Sequence, residues 1–402
     1  MYRALRMRLR KLSKQEYLIL ERLTYHAKSA WNNALYAYKN KLLPDLDLSR
    51  QSKLYRYVRK TEAGKMLYSQ STQAIVQQLN RALRESRRVC YLPSDGHRTI
   101  IWKGQSIWIR GGKILLPLSK TFREYYGISD KHFTIQLPSN FNHEIAEVHI
   151  VPRHNAKWFE ALVVYKVKKS KLVFQPQIVM GIDPGIDNFA TVAISDGTAV
   201  IIEGRKAKSV NQWFNKERAR LQSIYAKQGV KTGSKMVALS RRRQNWMYNF
   251  LHQAATYIVR IAQQRRATIA IGYNKGWKQK NNIGKRNNQN FVSLPHGRFV
   301  EILKHKAQLA GIEIKVVSEE YTSKIDALAL ESIMKHEKYL GKRKHRGLFI
   351  SSIGVAINAD VNGAINIARK AFGDSCWKSN PECPKGIGDK GRLTRPLRIR
   401  VV

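Results

Sequence analysis

Acidic residues are scarce in this chain. Asp and Glu number 28 against 73 Lys and Arg in 402 residues, so the formal net charge is +45 and the isoelectric point about 10.4. A surface this one-sided repels itself unless a polyanion neutralises it. The basic residues run along the whole chain rather than in one tail, which points to a long nucleic-acid footprint with many phosphate contacts. A membrane surface would instead call for a basic amphipathic helix or an apolar anchor. Long apolar runs are also missing: none approaches the roughly 18 residues that span a bilayer, and "MYRALRMRLRKLSKQ" has no apolar signal core, which argues against secretion. Cysteine is nearly absent. Cys90, Cys376 and Cys383 are an odd, sparse set that fits a reducing cytosol and no disulfide framework. Cys376 and Cys383 have no second pair, whereas a structural zinc site needs four ligands.

What is present is ordered by period. Hydrophobic residues make up 43%, enough for a core in each of two or three domains. "MYRALRMRLRKL" alternates and reads as a strand; Ser13 and Glu16 then form a capping box that opens a helix. Leu20, Leu23, Ala27, Ala30, Trp31, Ala34 and Tyr38 fall on one face of that helix. A second helix is predicted over 71–88, with Ile75, Val76, Leu79, Ala82 and Leu83 as its apolar stripe. Arg81, Arg84, Arg87 and Arg88 make its other side basic, either a solvated face or, with so few acids to pair them, phosphate contacts. From His97 to Val167 the period is two. "SIWIRGGKILLPL" reads as a hairpin turning at Gly111-Gly112, and "FTIQLP", "IAEVHIV" and "WFEALVVYKV" as further strands. "KKSKLVFQPQ" reads as a linker.

The remainder reads as α/β. "IVMGIDPG", "NFATVAIS" and "AVIIEG" are strands, followed by basic helices over 210–266, the strand "ATIAIGY", a helix over 295–310 and the strand "IEIKVVSEE". A basic connector, "GKRKHRGLFISS", leads to a last helix from Asn358, and the tail after Gly373 reads as largely irregular. This is the element order of an RNase H-like domain, preceded by a β-rich domain with a helical insertion.

Three acids form a candidate site. In "GIDPGIDNFATVAIS" a strand delivers Asp183 to a Pro-Gly turn; turn chemistry alone is the plain alternative. Metal-assisted phosphodiester hydrolysis needs several converging carboxylates, because Mg²⁺ prefers hard oxygen ligands. In "INADVNGAINIARKAF" Asp360 starts a helix, where it could simply offset the helix dipole. Asn358, Asn362 and Asn366 share its spacing, and a polar face turned toward an acidic cleft accounts for them. An RNase H-like site takes another acid from its fourth strand, yet "ATIAIGYN" has none there. The next strand ends in Glu319 and Glu320. Adjacent strands lie about 4.8 Å apart, so a glutamate from there can reach the vacated place, and neighbours on a strand point to opposite faces. Two solvated strand-end acids are the alternative reading.

These motifs resemble TnpB, the transposon-encoded RNA-guided nuclease family also called OrfB transposase, which is related to type V CRISPR effectors. "LSKQEYLILERLTYHAKSAWNNALY" is similar to the family's opening helix, "STQAIVQQLNRALRESRR" to its recognition helix and "GKILLPLSK" to its wedge strands; "GIDPGIDNFATVAI", "KAQLAGIEI", "YTSK" and "NADVNGAINIARKA" resemble its RuvC-type domain. The resemblance implies a wedge strand and first recognition helix over 1–40, a helical recognition insertion over 41–95 and a wedge β-barrel over 96–173. A RuvC-like nuclease domain over 174–373 would follow, with a helical insertion near 207–266 and a target-binding insert near 322–356, then a basic tail over 374–402. It implies catalysis by Asp183, Glu319 (Glu320 as fallback) and Asp360 around two Mg²⁺ ions, with Mn²⁺ as substitute. Implied partners are a guide RNA from the transposon end, one protein per RNA, and double-stranded target DNA beside a short flanking motif. Arg81, Arg84, Arg88, Arg241, Arg242, Arg243, Lys278, Lys285, Arg286, Lys342, Arg343 and Arg346 are the expected nucleic-acid contacts. Trp246 could stack on a base or fill the core. His252 and His296 are candidate general bases on paper but are read as structural, since metal activation makes a protein base dispensable. The family's two Cys-x-x-Cys pairs are missing, so no zinc is expected. A nuclease-inactive RNA-guided repressor and an RNA-independent transposition factor are the rival readings.

Overall fold

The computed structural model describes residues 2–44, 46–50, 52–85, 88–167, 178–230, 232–274, 294–345, 347–378 and 392–401. The chain divides into two units, Met1–Lys168 and Lys169–Val402.

The first unit opens with β1 (Tyr2–Arg8) and α1 (Lys14–Lys39). Ser13 Oγ accepts the Glu16 N–H at 3.1 Å and the Glu16 carboxylate accepts the Ser13 N–H at 2.7 Å, the reciprocal cap expected from the sequence. Leu20, Leu23, Ala27, Ala30 and Ala34 are buried, while Tyr38, assigned to the same stripe, is exposed. Helices α2 (Ser52–Lys60), α3 (Glu62–Met66) and α4 (Ser69–Glu85) complete the helical part. Strands β2 (Ile100–Lys103), β3 (Trp108–Arg110) and β4 (Lys113–Pro117) are followed by α5 (Lys120–Tyr126), β5 (His132–Gln136), β6 (Ile145–Arg153) and β7 (Trp158–Lys166). Gly111 and Gly112 both have positive φ, 56° and 69°, as a two-residue turn matched to strand twist requires. Among the described residues the strands pair as two sheets, β1-β7-β6-β2 and β3-β4-β5, rather than as one continuous barrel ladder. The linker expected at "KKSKLVFQPQ" lies outside the described residues.

The second unit contains β8 (Ile178–Pro184), β9 (Asn188–Ile194), β10 (Ala199–Glu203), α6 (Arg205–Lys227), α7 (Ser234–Gln264), β11 (Ala267–Gly272), α8 (His296–Leu309) and β12 (Ile314–Val317). Then come β13 (Lys342–His345), β14 (Leu348–Ile350), β15 (Ala356–Asn358), α9 (Ala359–Phe372), α10 (Ser375–Lys378) and β16 (Leu397–Ile399). The main sheet has the order β12-β11-β8-β9-β10-β16. β8, β9 and β10 are an antiparallel meander; β11 runs parallel to β8, and β12 parallel to β11. Apolar residues of α7 and α8 cover one face of this sheet, and those of α9 cover the other. Two sequence expectations are corrected. The basic connector is a small sheet, β13-β14-β15, and the tail contributes β16, parallel to β10. Neither has enough alternating residues to announce itself; both borrow a neighbour's backbone donors and acceptors.

Candidate nuclease site

Three elements of the second unit carry the candidate acids. Gly181 and Asp183 are two residues apart on β8 and so share a face. That face meets α9 at close range: a Cβ on Gly181 would stand 1.9 Å from the Ala364 carbonyl oxygen. The same approach sets Asp183 against the helix backbone, where a Cβ on Gly363 would stand 2.7 Å from Asp183 Oδ2. Asp360 lies one turn earlier. Asn358 caps the helix, accepting the N–H groups of Asp360 at 2.9 Å and Val361 at 3.4 Å. Asn188, from the start of β9, donates its Nδ2 to Asp360 Oδ2 at 2.7 Å.

Glu319 follows the end of β12. Its N–H donates to Asn274 Oδ1 at 3.1 Å, and its carbonyl accepts from Thr322 Oγ1 at 2.8 Å. Its side chain crosses the end of β11, where the residue is Gly272. A Cβ on Gly272 would stand 2.7 Å from Glu319 Cγ and 3.3 Å from Oε1. The glutamate therefore occupies space that any larger residue on the fourth strand of the sheet would fill. Glu320 is exposed, and its carbonyl accepts from Lys370 Nζ at 3.3 Å.

The electrostatics reflect this crowding. Burial, then the charges of Asp360 and Glu319, push the Asp183 carboxyl well above the usual carboxylate range, against the pull of Arg343. Burial raises Glu319 to about 7, and its Oε1 is buried without a hydrogen-bond partner. Among the described residues no group of three His, Cys, Asp or Glu forms a ready-made metal shell. The donor set is nonetheless all carboxylate oxygen with one buried oxygen unsatisfied, which is the chemistry that a hard divalent cation relieves.

The basic residues sort differently. Arg343 on β13 places a guanidinium nitrogen 3.9 Å from Asp360 Oδ1, and Lys342 beside it is exposed. Arg81, Arg84 and Arg88 are exposed; Arg81 pairs with Glu85 at 2.8 Å and Arg84 donates to the Asn80 carbonyl at 3.4 Å. Arg241 and Arg242 are exposed, with Arg242 5.5 Å from the Trp213 ring centroid. Arg243 departs from the outward-facing expectation. It donates to Asn211 Oδ1 at 2.6 Å and lies 5.0 Å from the Phe214 ring centroid, joining α7 to α6. Lys278, Lys285, Arg286 and Arg346 lie outside the described residues. Trp246 stacks on Phe250 at 5.5 Å as a partly buried neighbour of the core. His296 is buried, stacks on Phe189 and donates from Nε2 to the Gly185 carbonyl at 2.8 Å, steadying the turn after Asp183. Burial lowers His252 below its ordinary value.

The asparagine face of α9 corrects a second expectation. Asn362 and Asn366 are fully buried and turn toward the insert, not into the carboxylate cleft. Asn362 accepts the Ala327 N–H at 3.0 Å and donates to the Ile325 carbonyl at 2.7 Å. Asn366 donates to the carbonyls of Thr322 and Ile325 at 2.9 and 2.8 Å and accepts from Arg369 at 2.7 Å. Beyond them Asp326, fully buried, accepts both hydroxyls of Ser351 and Ser352 and the Ser352 N–H at 2.7 Å. Glu331 accepts the N–H groups of Asp326 and Leu340 at 2.7 and 2.9 Å, and Arg369 donates to the Glu331 carbonyl at 2.8 Å. A polar hub thus organises the segment in which the resemblance leads one to look for zinc. Asn188, Gly272, Asp326 and Arg369 escaped the sequence reading. Only Gly272 left a trace, as the missing acid at the end of a strand.

Two family models match the chain. OrfB_IS605, described as a probable transposase, covers residues 162–278, and the Cas12f1-like TNB domain covers residues 296–367. The TnpB-like protein ORF457 of Acidianus two-tailed virus is 27% identical over 226 residues, 52% of this chain and 46% of the viral protein. The chain thus matches about half the length of this relative. Among solved structures, the chain in a cryo-EM Cas12f1-sgRNA-target DNA complex aligns with a TM-score of 0.60 at 14% identity, over 89% of this chain and 83% of that one. That likeness is one of fold, in mixed sheets and helices. Taken together, residues 162–278 and 296–367 match a transposase model and a Cas12f1-like model, and about half of the chain is similar to a TnpB-like protein.

Proposed function

We propose that this protein is an RNA-guided DNA endonuclease of transposon origin that cuts DNA beside a short flanking motif. What supports the reading is that Asp183 lies against Gly363 of α9 and Glu319 against Gly272 of β11, with the charges of Asp360 and Glu319 both acting on Asp183, in a chain of net charge +45. Asp183, buried beside two like charges, is costly to ionise unless a cation joins it. Two Mg²⁺ ions, or Mn²⁺ in their place, would supply Lewis-acid stabilisation of the phosphodiester and a water of lowered pKa. Asp183 and Asp360 would hold cations from the strand and helix sides, and Glu319 from across Gly272. Asn188 would orient Asp360, and Arg343, 3.9 Å from it, would take a phosphate oxygen beside it. Sequence choice would rest on guide pairing, with the protein gripping backbone through residues such as Arg81, Arg84, Arg88, Arg241, Arg242 and Lys342. The partners are then a guide RNA, one protein per RNA, and double-stranded DNA. No described helix is long and apolar enough to cross a membrane.

The test is purification with RNA transcribed from the transposon end, followed by incubation with matched DNA and Mg²⁺. Cutting that requires both the RNA and a flanking motif is expected. Guided binding with no cutting under any flanking sequence would instead identify a nuclease-inactive repressor, and site-specific binding that survives RNase would sink the guided reading altogether.

A further inference from the structure

We infer that a cleft in the first unit, between Trp108 and Tyr2, is a slot for an unpaired nucleobase of bound RNA. The inference rests on the nucleic-acid reading above and adds a site to it. Trp108 on β3 is 57% exposed and Tyr2 on β1 is 58% exposed. Both line a single cleft of about 740 Å³ whose apolar walls include Ile107, Ile109 and Ile145. Sites that hold small, flat ligands are commonly about 300–1,000 Å³. Large aromatics left in water around one concavity mark an interaction site rather than an ordinary surface. The indole is held from behind: His132 on β5 packs on it with ring centroids 5.0 Å apart.

Charge chooses the occupant. Glu144 is the one acid among the residues that line the cleft, and it is already paired with Lys166 in the same wall. Arg110 and Lys113, exposed on the adjoining hairpin, add further positive charge. A second copy of the chain would bring +45 against +45. An oligonucleotide brings phosphates for the basic rim and flat bases for the aromatic walls. Stacking tolerates any base, because each has a π face. Gln105 offers an amide donor and acceptor at the cleft for a base edge.

The probe is a fluorescein-labelled oligouridylate titrated into the full chain over a range of salt. Trp108→Ala should weaken binding about tenfold, with the slope of log affinity against log salt unchanged, because stacking releases no counterions. Trp108→Phe should retain most of the affinity, and it keeps the test open should alanine disturb the hairpin. A 4-thiouridine oligonucleotide should crosslink to Trp108 or Tyr2. Unchanged affinity in both variants, or crosslinks confined to other segments, would overturn the slot and leave the guided-nuclease reading standing. A wild-type dimer that Trp108→Ala dissociates would overturn it too, by making the cleft a self-interface. Failure of the wild-type chain to bind any oligonucleotide would overturn both.

Discussion

Glu319 reaches its place because Gly272 puts no side chain in its way. The two positions are therefore one device, and each can be tested. Glu319→Gln should lower guided DNA cleavage by roughly 10²–10³-fold, equivalent to about 3–4 kcal/mol of barrier, whereas exposed Glu320→Gln should leave the rate within about twofold of the wild type. A time course of target cutting at fixed Mg²⁺ separates them, and equal losses would return the choice between the two acids to open. Gly272→Ala sets a methyl 2.7 Å from Glu319 Cγ and 2.6 Å from Ile367 Cδ1. Overpacking of this kind costs about 1–3 kcal/mol of stability. Because the displaced group is a candidate ligand, cleavage should fall further than the shift in unfolding midpoint accounts for.

At the level of elements, α9 has two jobs on two faces. Gly363 meets Asp183 on β8 and Asp360 accepts from Asn188 on β9, while Asn362 and Asn366 grip the insert that Asp326 organises. Asp326→Ala would leave the buried Ser351 hydroxyl without its acceptor and remove the bonds to Ser352, and should cost about 3 kcal/mol or more in urea unfolding. Addition of a zinc chelator should leave that unfolding curve where it was, and a chelator-induced shift would show that the hub is not what holds the insert. In the first unit Glu160 joins β7 to β1 and β6. It accepts from Arg6 at 2.9 and 2.6 Å and from Arg153 at 2.9 and 2.7 Å. Burial raises its carboxyl, but the two guanidinium groups outweigh burial and hold it below its ordinary value. A depressed carboxylate contributes stability above the unfolded pKa, about 4.3 for Glu, and that contribution is lost as pH falls through the lower folded value. Glu160→Gln should therefore cost about 1–3 kcal/mol at neutral pH, and the gap from the wild type should close in acid-titrated melts below pH ~4.

Across the whole molecule, the excess of base over acid makes nucleic-acid affinity a matter of counterion release. Each phosphate contact contributes close to one unit to the slope of log affinity against log salt. Arg81→Ala and Arg241→Ala, both at exposed positions, should each flatten that slope by about 0.9 in fluorescence titrations. Arg243→Ala should leave the slope unchanged and lower the melting temperature instead, since its guanidinium bridges α6 and α7. A flattened slope in Arg243→Ala would mean that the inward contact does not persist in solution.

Residues whose neighbours are close in the chain were legible from the sequence alone. The Ser13–Glu16 cap, the Gly111-Gly112 turn, the helix opening at Asn358 and the strand ending at Asp183 each depend on local geometry that composition and period express. The net charge and the scarcity of acids needed no structure either, and they point to a polyanionic partner. Tertiary structure alone decided what crosses elements. It put Asn362 and Asn366 against the insert, turned Arg243 inward, paired β16 with β10 and gathered the polar groups around Asp326. A hydrogen bond between residues 25 or more apart leaves no periodic trace in a sequence. It exists only once the chain has brought its two ends together and removed water from between them.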